Sequence, residues 1–202
     1  MRYMILSDIH GSVTTLEQAL NIYRKKECDM VLLLGDILNY GPRNGLPVGL
    51  DAPKVAAMLN SMAGDIVAVR GNCDSEVDQM LLDFHIMDTT SLVVDNGRRL
   101  LLTHGHIYNM ECLPKGRYDA VFYGHTHLWL LEKKDGTVFC NTGSVTFPKG
   151  GNPQTLAIYD NGAVRMFDIE GRELGLLNYD SPSARINDVR IFFEKIPAFR
   201  YV

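Results

Sequence analysis

Side chains able to hold a cation stand directly after the apolar runs of this sequence. Asp8-Ile9-His10-Gly11 follows Tyr3 to Leu6, Gly35-Asp36 follows Met30 to Leu34, and Gly71-Asn72-Cys73-Asp74 follows Ile66 to Val69. His104-Gly105-His106 follows Leu100 to Leu102, and Gly124-His125-Thr126-His127 follows Val121 to Tyr123. Five of the six histidines lie in these segments, and only His85 lies elsewhere. Carboxylate oxygens combined with imidazole nitrogens suit Mn²⁺, Fe²⁺, Zn²⁺ or Co²⁺, whereas a structural zinc site favours thiolates. In Asp-x-His and His-x-His, side chains two apart on extended backbone point the same way, so the spacing predicts that both reach one site. Each motif alone has an ordinary explanation as a cap, a turn or a satisfied polar group. All five together, each at the end of an apolar run, imply a metal centre.

These positions require a sheet whose strand ends converge. Val13, Leu16, Leu20 and Tyr23 share a helical face, and so do Val55, Met58, Leu59 and Met62 after Asp51-Ala52-Pro53, where proline suits a first turn. Strand, helix, strand, helix, strand over residues 3–69 predicts parallel pairing with helices on one sheet face. Later, Asn96-Gly97, Asp135-Gly136 and Asn161-Gly162 each separate two apolar runs and predict antiparallel hairpins. The chain has 202 residues, enough for one domain, with 46% hydrophobic and 22% charged residues and a formal charge of −4. That charge argues against a nucleic-acid partner, whose non-specific binding rests on phosphate neutralisation. Cys28, Cys73, Cys112 and Cys140 form no CxxC pair, and no apolar run approaches the ~18 residues of a membrane span, so a soluble cytoplasmic protein is expected. Asp180-Ser181-Pro182-Ser183 reads as a break between a domain over 1–179 and a tail over 180–202. Val189, Phe192, Phe193 and Ile196 predict a short helix over 188–196 that docks on its own domain or on a second copy in a homo-oligomer.

The five blocks, in order, resemble the signature of the calcineurin-like metallophosphoesterase superfamily: D-x-H, G-D, G-N-[HC]-[DE], a later histidine and G-H-x-H. Gly41-Pro42-Arg43-Asn44, the run from Arg70 to Met80, Thr103-His104-Gly105-His106 and the run from Pro148 to Pro153 are similar to its small bacterial YfcE-like phosphodiesterase subfamily. The resemblance implies a four-layer αββα sandwich of two mixed β-sheets flanked by helices. It implies two divalent metal ions, manganese first, with zinc, iron, nickel or cobalt as alternatives. Asp8, His10 and His127 would bind one, Asn72, His104 and His125 the other, and Asp36 would bridge them. The reaction implied is hydrolysis of a phosphodiester, with a bridging hydroxide attacking phosphorus in line. A phosphomonoesterase acting on a small phosphorylated metabolite is the alternative. A non-catalytic interaction scaffold is disfavoured, because all seven ligand positions carry the expected residue types.

Cys73 stands where many members of the superfamily have a histidine that protonates the leaving group. A thiol donates a proton less readily than an imidazolium at neutral pH. Good leaving groups are therefore expected unless His106 substitutes. Arg43, Arg70 and Lys149 are candidates for holding phosphate oxygens, Asn141-Thr142-Gly143-Ser144 for buttressing the site, and His85 for a structural role.

Overall fold

The structure, a computed structural model, describes residues 1–180 and 185–186. β1 (Arg2–Leu6), α1 (Val13–Lys25), β2 (Met30–Leu33), α2 (Ala52–Asn60) and β3 (Ile66–Ala68) alternate as the apolar spacing predicts. Local chemistry sets the helix ends. The Ser12 hydroxyl accepts from the Thr15 N–H at the start of α1, and Arg24 and Lys25 sit in its last turn, where the helix dipole favours cations. The Asp51 carboxylate caps α2 by accepting from the Lys54 N–H. A capping box between Ser75 and Asp78 closes the short α3 (Glu76–Gln79).

The three expected hairpins form: β4 (Thr90–Asp95) with β5 (Arg98–Thr103), β7 (Trp129–Lys134) with β8 (Thr137–Thr142), and β9 (Thr155–Asp160) with β10 (Ala163–Asp168). Asn96, Asp135 and Asn161 have φ of 49°, 50° and 47°, and each precedes a glycine at positive φ, the backbone of a two-residue hairpin turn. With β6 (Ala120–Tyr123), β11 (Glu173–Asn178) and β12 (Arg185–Ile186), the strands make two mixed sheets. The seven-stranded sheet runs β12-β11-β10-β9-β1-β2-β3, and the five-stranded sheet runs β4-β5-β6-β8-β7. β1, β2 and β3 are mutually parallel neighbours, and so are β5, β6 and β8. β11 was not expected from the sequence. Its register slips at Met166/Phe167, and Gly175 interrupts the apolar pattern that would have marked it. β12 pairs Arg185 with Leu176 and Ile186 with Gly175, while the helix expected over 188–196 lies outside the described residues.

Alternation along β1 and β2 divides the core. Met4, Leu6, Val31 and Leu33 face α1 and α2, joining Leu16, Leu20, Val55 and Leu59. Tyr3, Ile5, Leu32 and Leu34 face the second sheet and meet Leu100, Leu102, Phe122 and Cys140. The outer face of the five-stranded sheet buries Leu101, Val121, Tyr123 and Phe139 under Met110, Leu113 and Tyr118. Those three covering residues belong to irregular chain between β5 and β6, where the four-layer expectation places a helix. No helix among the described residues is long and apolar enough to cross a membrane.

Candidate metal centre

Parallel strands of both sheets deliver their carboxyl ends to one edge, the usual ligand side of such sheets. Asp8 follows β1, Asp36 follows β2, Asn72 follows β3, His104 follows β5, and His125 and His127 follow β6. Backbone hydrogen bonds stitch the loops together: Asp8 N–H to Gly35 O at 3.1 Å, His10 N–H to Asp36 O at 2.9 Å, and Gly124 N–H to His104 O at 2.8 Å. The backbone conformation differs from the extended one expected for Asp-x-His and His-x-His. Asp8, His10, Asp36, His125 and His127 have φ of 60°, 52°, 53°, 67° and 61°, all in the left-handed region. Outside glycine that region costs of order 1–3 kcal/mol per residue and persists only where surrounding structure imposes it. The side chains therefore converge through left-handed turns held by the two sheets, and strand alternation does not account for it.

One carboxylate oxygen of Asp8 lies 3.2 Å from His127 Nε2 and 3.5 Å from His10 Nε2. Asp36 Oδ2 lies 3.9 Å from His10 Nε2 and 3.6 Å from His104 Nε2, so it stands between two imidazoles from different sheets. Asn72 Oδ1 lies 3.0 Å from His104 Nε2. Asp8, His10 and His127 form one group with donor atoms within 4.8 Å of one another, and Asp8, Asp36 and His104 form a second. The His125 ring packs 5.1 Å from His104 and 5.9 Å from His106, and its backbone N–H donates to Asp8 Oδ2. His125 thus sits at the rim of the second group without a donor atom inside it.

The imidazoles are aimed from behind. Nδ1 of His10, His104 and His127 bonds the carbonyls of Asn39, Leu34 and Phe147 at 2.8, 2.7 and 2.6 Å. That arrangement places the proton on Nδ1 and turns the Nε2 lone pair inward, as a carbonyl behind the ring does for metal-binding histidines. Asp8 Oδ1 and His10 Nε2 are buried without a hydrogen-bond partner. Such orphaned groups are costly unless something binds them, so these residues fit a divalent cation. Burial would raise the Asp8 carboxyl, but His10 and His127 hold it well below the usual carboxylate range. Burial would lower His10, and the Asp8 carboxylate outweighs it and raises that imidazole. Burial and His104 push His125 down to about 4.

Asp74 has a position its motif did not predict. Its buried carboxylate accepts the N–H groups of Asp36, Ile37 and Gly71 at 2.8, 2.8 and 2.7 Å, tying the loops after β2 and β3 together. Burial and the Asp36 charge push it up to about 6. A Cβ on Gly71 would overlap the Asp36 carboxylate, which leaves glycine as the residue for this approach. Ser144 Oγ and Thr146 Oγ1 donate to the Asp8 and Ile9 carbonyls at 3.1 and 2.8 Å, and Asn141 Nδ2 donates to Gly124 O at 3.0 Å. Asn141 at the end of β8 and the segment after it thereby brace the loops that carry Asp8 and His125.

Of the remaining candidates, Cys73 and His106 stay at the centre, Cys73 in a third group of close donor atoms with His10 and Asp36. Cys73 is half-buried, its N–H donates to Asp36 Oδ1 at 2.8 Å, and burial followed by the Asp36 charge pushes its thiol up to about 12. His106 meets His104 edge-on with ring centroids 5.2 Å apart, its Nδ1 is buried without a partner, and burial lowers its pKa. Arg70 is engaged, with Nε on the Asp74 carbonyl at 3.2 Å and Nη2 3.9 Å from Glu76. Arg43 and the Lys149 side chain are exposed, while the Lys149 N–H bonds the His127 carbonyl at 3.0 Å. His85 is exposed beside Asp88, away from the centre.

Known proteins share this fold. The calcineurin-like phosphoesterase superfamily domain matches residues 1–163. Phosphodiesterase YfcE of Escherichia coli (strain K12) is 43% identical over 175 residues, covering 86% of this chain and 95% of that protein. Phosphodiesterase MJ0936 of Methanocaldococcus jannaschii is 29% identical over 169 residues, covering 79% and 93%. The solved structure of Yfce, a phosphoesterase from E. coli, superimposes with a TM-score of 0.86 at 41% identity, covering 89% of this chain and all of that one. On the match over residues 1–163 and the shared two-sheet fold, this chain belongs to the calcineurin-like phosphoesterase superfamily.

Proposed function

We propose that this metal-dependent phosphoesterase hydrolyses phosphodiesters at the edge where the two sheets meet, using two divalent cations. The observation that carries the proposal is the Asp36 carboxylate, placed between His10 Nε2 and His104 Nε2 beside the orphaned Asp8 Oδ1. Asp8, His10 and His127 would hold one cation and Asn72 and His104 the other, with His125 at the rim of the second position, and Asp36 would serve both. Manganese suits this carboxylate, imidazole and amide set, with zinc, iron, nickel or cobalt as alternatives. When bound, the cations supply Lewis acidity toward the phosphoryl oxygens and a nucleophile at neutral pH.

The protein's own part is to orient and to neutralise. The carbonyls of Asn39, Leu34 and Phe147 hold three imidazoles with Nε2 inward, and the left-handed loops hold both carboxylates without reorganisation. A diester suits the cationic inventory, because a monoester brings a second negative charge. Arg70 is already shared with Glu76, and Arg43 and Lys149 point into solvent. The named relatives that are phosphodiesterases support the same choice.

A neutral thiol at position 73 leaves no imidazolium where a leaving-group acid would stand. In a series of aryl diesters, kcat/KM should fall more than about tenfold as the leaving-group pKa rises from ~7 to ~10. A flat series would show that some residue donates the proton. If His106 were that donor, His106→Ala would slow the poor leaving groups most.

Metal supply should also stabilise the fold, because the buried carboxylates and Nε2 atoms gain partners that the unfolded chain lacks. At ~100-fold excess over Kd the gain is about 2.7 kcal/mol, or roughly 5–10 °C in Tm. Scanning calorimetry of chelated and Mn²⁺-supplied protein measures it, and an unchanged Tm would count against the site.

A further inference from the structure

A cavity of about 760 Å³ opens next to the candidate centre, and none of the proposed ligands lines it. That volume lies in the ~300–1,000 Å³ range of sites for organic ligands. Leu38, Tyr40, Pro42, Leu50, Ala52 and Pro53 supply its apolar wall. The wall adjoins the centre at two points. The carbonyl of its Asn39 aims His10, and a Cβ on its Gly41 would press on Cys73 Sγ at 2.9 Å. Its far end is pinned two residues beyond His10, where Ser12 Oγ donates to Val48 O at 2.7 Å and Asp51 N–H donates to Gly11 O at 2.9 Å.

The charge of this wall is one-sided. Among the described residues no lysine or arginine lines it, and the ionisable carboxylates that do are Asp51 and Asp78. Asp51 is held by the Lys54 N–H, and Asp78 by Ser75 N–H and Oγ, so both stay in place as acceptors. Leu50 of the apolar wall is exposed, and of the ten exposed large apolar side chains among the described residues six fall within residues 46–50 and 77–81, close in the chain to the lining residues Leu50 and Asp78. A concentration of this kind marks a binding surface.

We propose that this cavity is the subsite for the ester group that stays on phosphorus, and that it selects an uncharged arm about the size of an aromatic ring. The inference rests on the diesterase reading. A phosphodiester has one negative charge and two organic arms. One arm departs, and the other needs a place beside the phosphate. Apolar walls with two fixed carboxylates accept a neutral ring and repel a second phosphate or a carboxylate. Polyphosphates and nucleic-acid strands are excluded on the same ground.

The test uses Mn²⁺-supplied protein and three diesters that share p-nitrophenolate as leaving group, with methyl, phenyl or 4-carboxyphenyl as the retained arm. The phenyl ester should exceed the methyl ester in kcat/KM by roughly tenfold and the carboxyphenyl ester by about as much. Calorimetric titration with hydrolysis-resistant methyl(phenyl)phosphinate and dimethylphosphinate, in which P–C bonds replace both ester links, should give the same order of affinity. Ala52→Phe, which puts a ring into part of the cavity, should bring the phenyl ester down toward the methyl ester while methyl turnover and Tm hold. Leu50→Lys should narrow the gap between the phenyl and carboxyphenyl esters. Equal rates for methyl and phenyl, or ratios unmoved by both variants, overturn the subsite alone. A change of mass in solution on Leu50→Lys with unmoved ratios would likewise overturn it, by showing that a second copy covers this face. Turnover of p-nitrophenyl phosphate with none of the diesters overturns the diesterase reading and the subsite together.

Discussion

Asp36→Ala is expected to lower kcat/KM by about 10³-fold or more with every metal supplied, since it removes the carboxylate placed between His10 and His104, the position proposed to serve both cations. Truncation leaves His10 and His104 without the shared anion and leaves the Cys73 N–H without its acceptor. Bound metal, measured by elemental analysis, should fall from two equivalents toward one or none. Adding excess Mn²⁺ should not restore the rate, because the loss lies in the bridging position and not in affinity alone. Retention of more than about a tenth of the activity would show that Asp36 is a structural acid and that the two cation positions do not depend on a common ligand.

The second large effect concerns stability. Asp74→Ala removes the acceptor for three buried N–H groups, on Asp36, Ile37 and Gly71. Leaving a buried donor unpaired costs about 1–3 kcal/mol, and partial rescue by entering water gives a net loss of ~3–5 kcal/mol, roughly 10–15 °C in Tm. Urea unfolding should show a lower midpoint at an unchanged slope, as expected when the native state loses stability without changing compactness. Asp74→Asn should recover only part of the loss, because its amide NH₂ group would face at least one backbone donor. A midpoint shift below about 1 kcal/mol for Asp74→Ala would mean that the two loops hold themselves and that the clamp is dispensable.

Much of this protein is visible in the sequence because it is governed by local rules. The apolar stripe from Val13 to Tyr23, the helix start at Asp51-Ala52-Pro53, and the Asn-Gly and Asp-Gly turns each depend on a few neighbouring residues, and each appears where expected. The polar residues after each apolar run were also legible, since a strand of known length places its next residue at a sheet edge. Pairing over long distance was not. Nothing local to Thr155–Asp160 says that its hairpin joins β1 in the first sheet, and nothing in Glu173–Asn178 marks a strand once Gly175 breaks its pattern. The same limit applies at the site. Left-handed backbone at Asp8, His10, Asp36, His125 and His127 is unfavourable for each residue alone and exists because hydrogen bonds from distant strands impose it. The sequence alone determined which residues gather at the edge. Only the tertiary structure decided that they converge through left-handed turns, that Asp74 locks two loops, that Arg70 is already engaged, and that a carboxylate-lined cavity stands beside the centre. Each of these depends on contacts between segments far apart in the chain, whose energies no local pattern records.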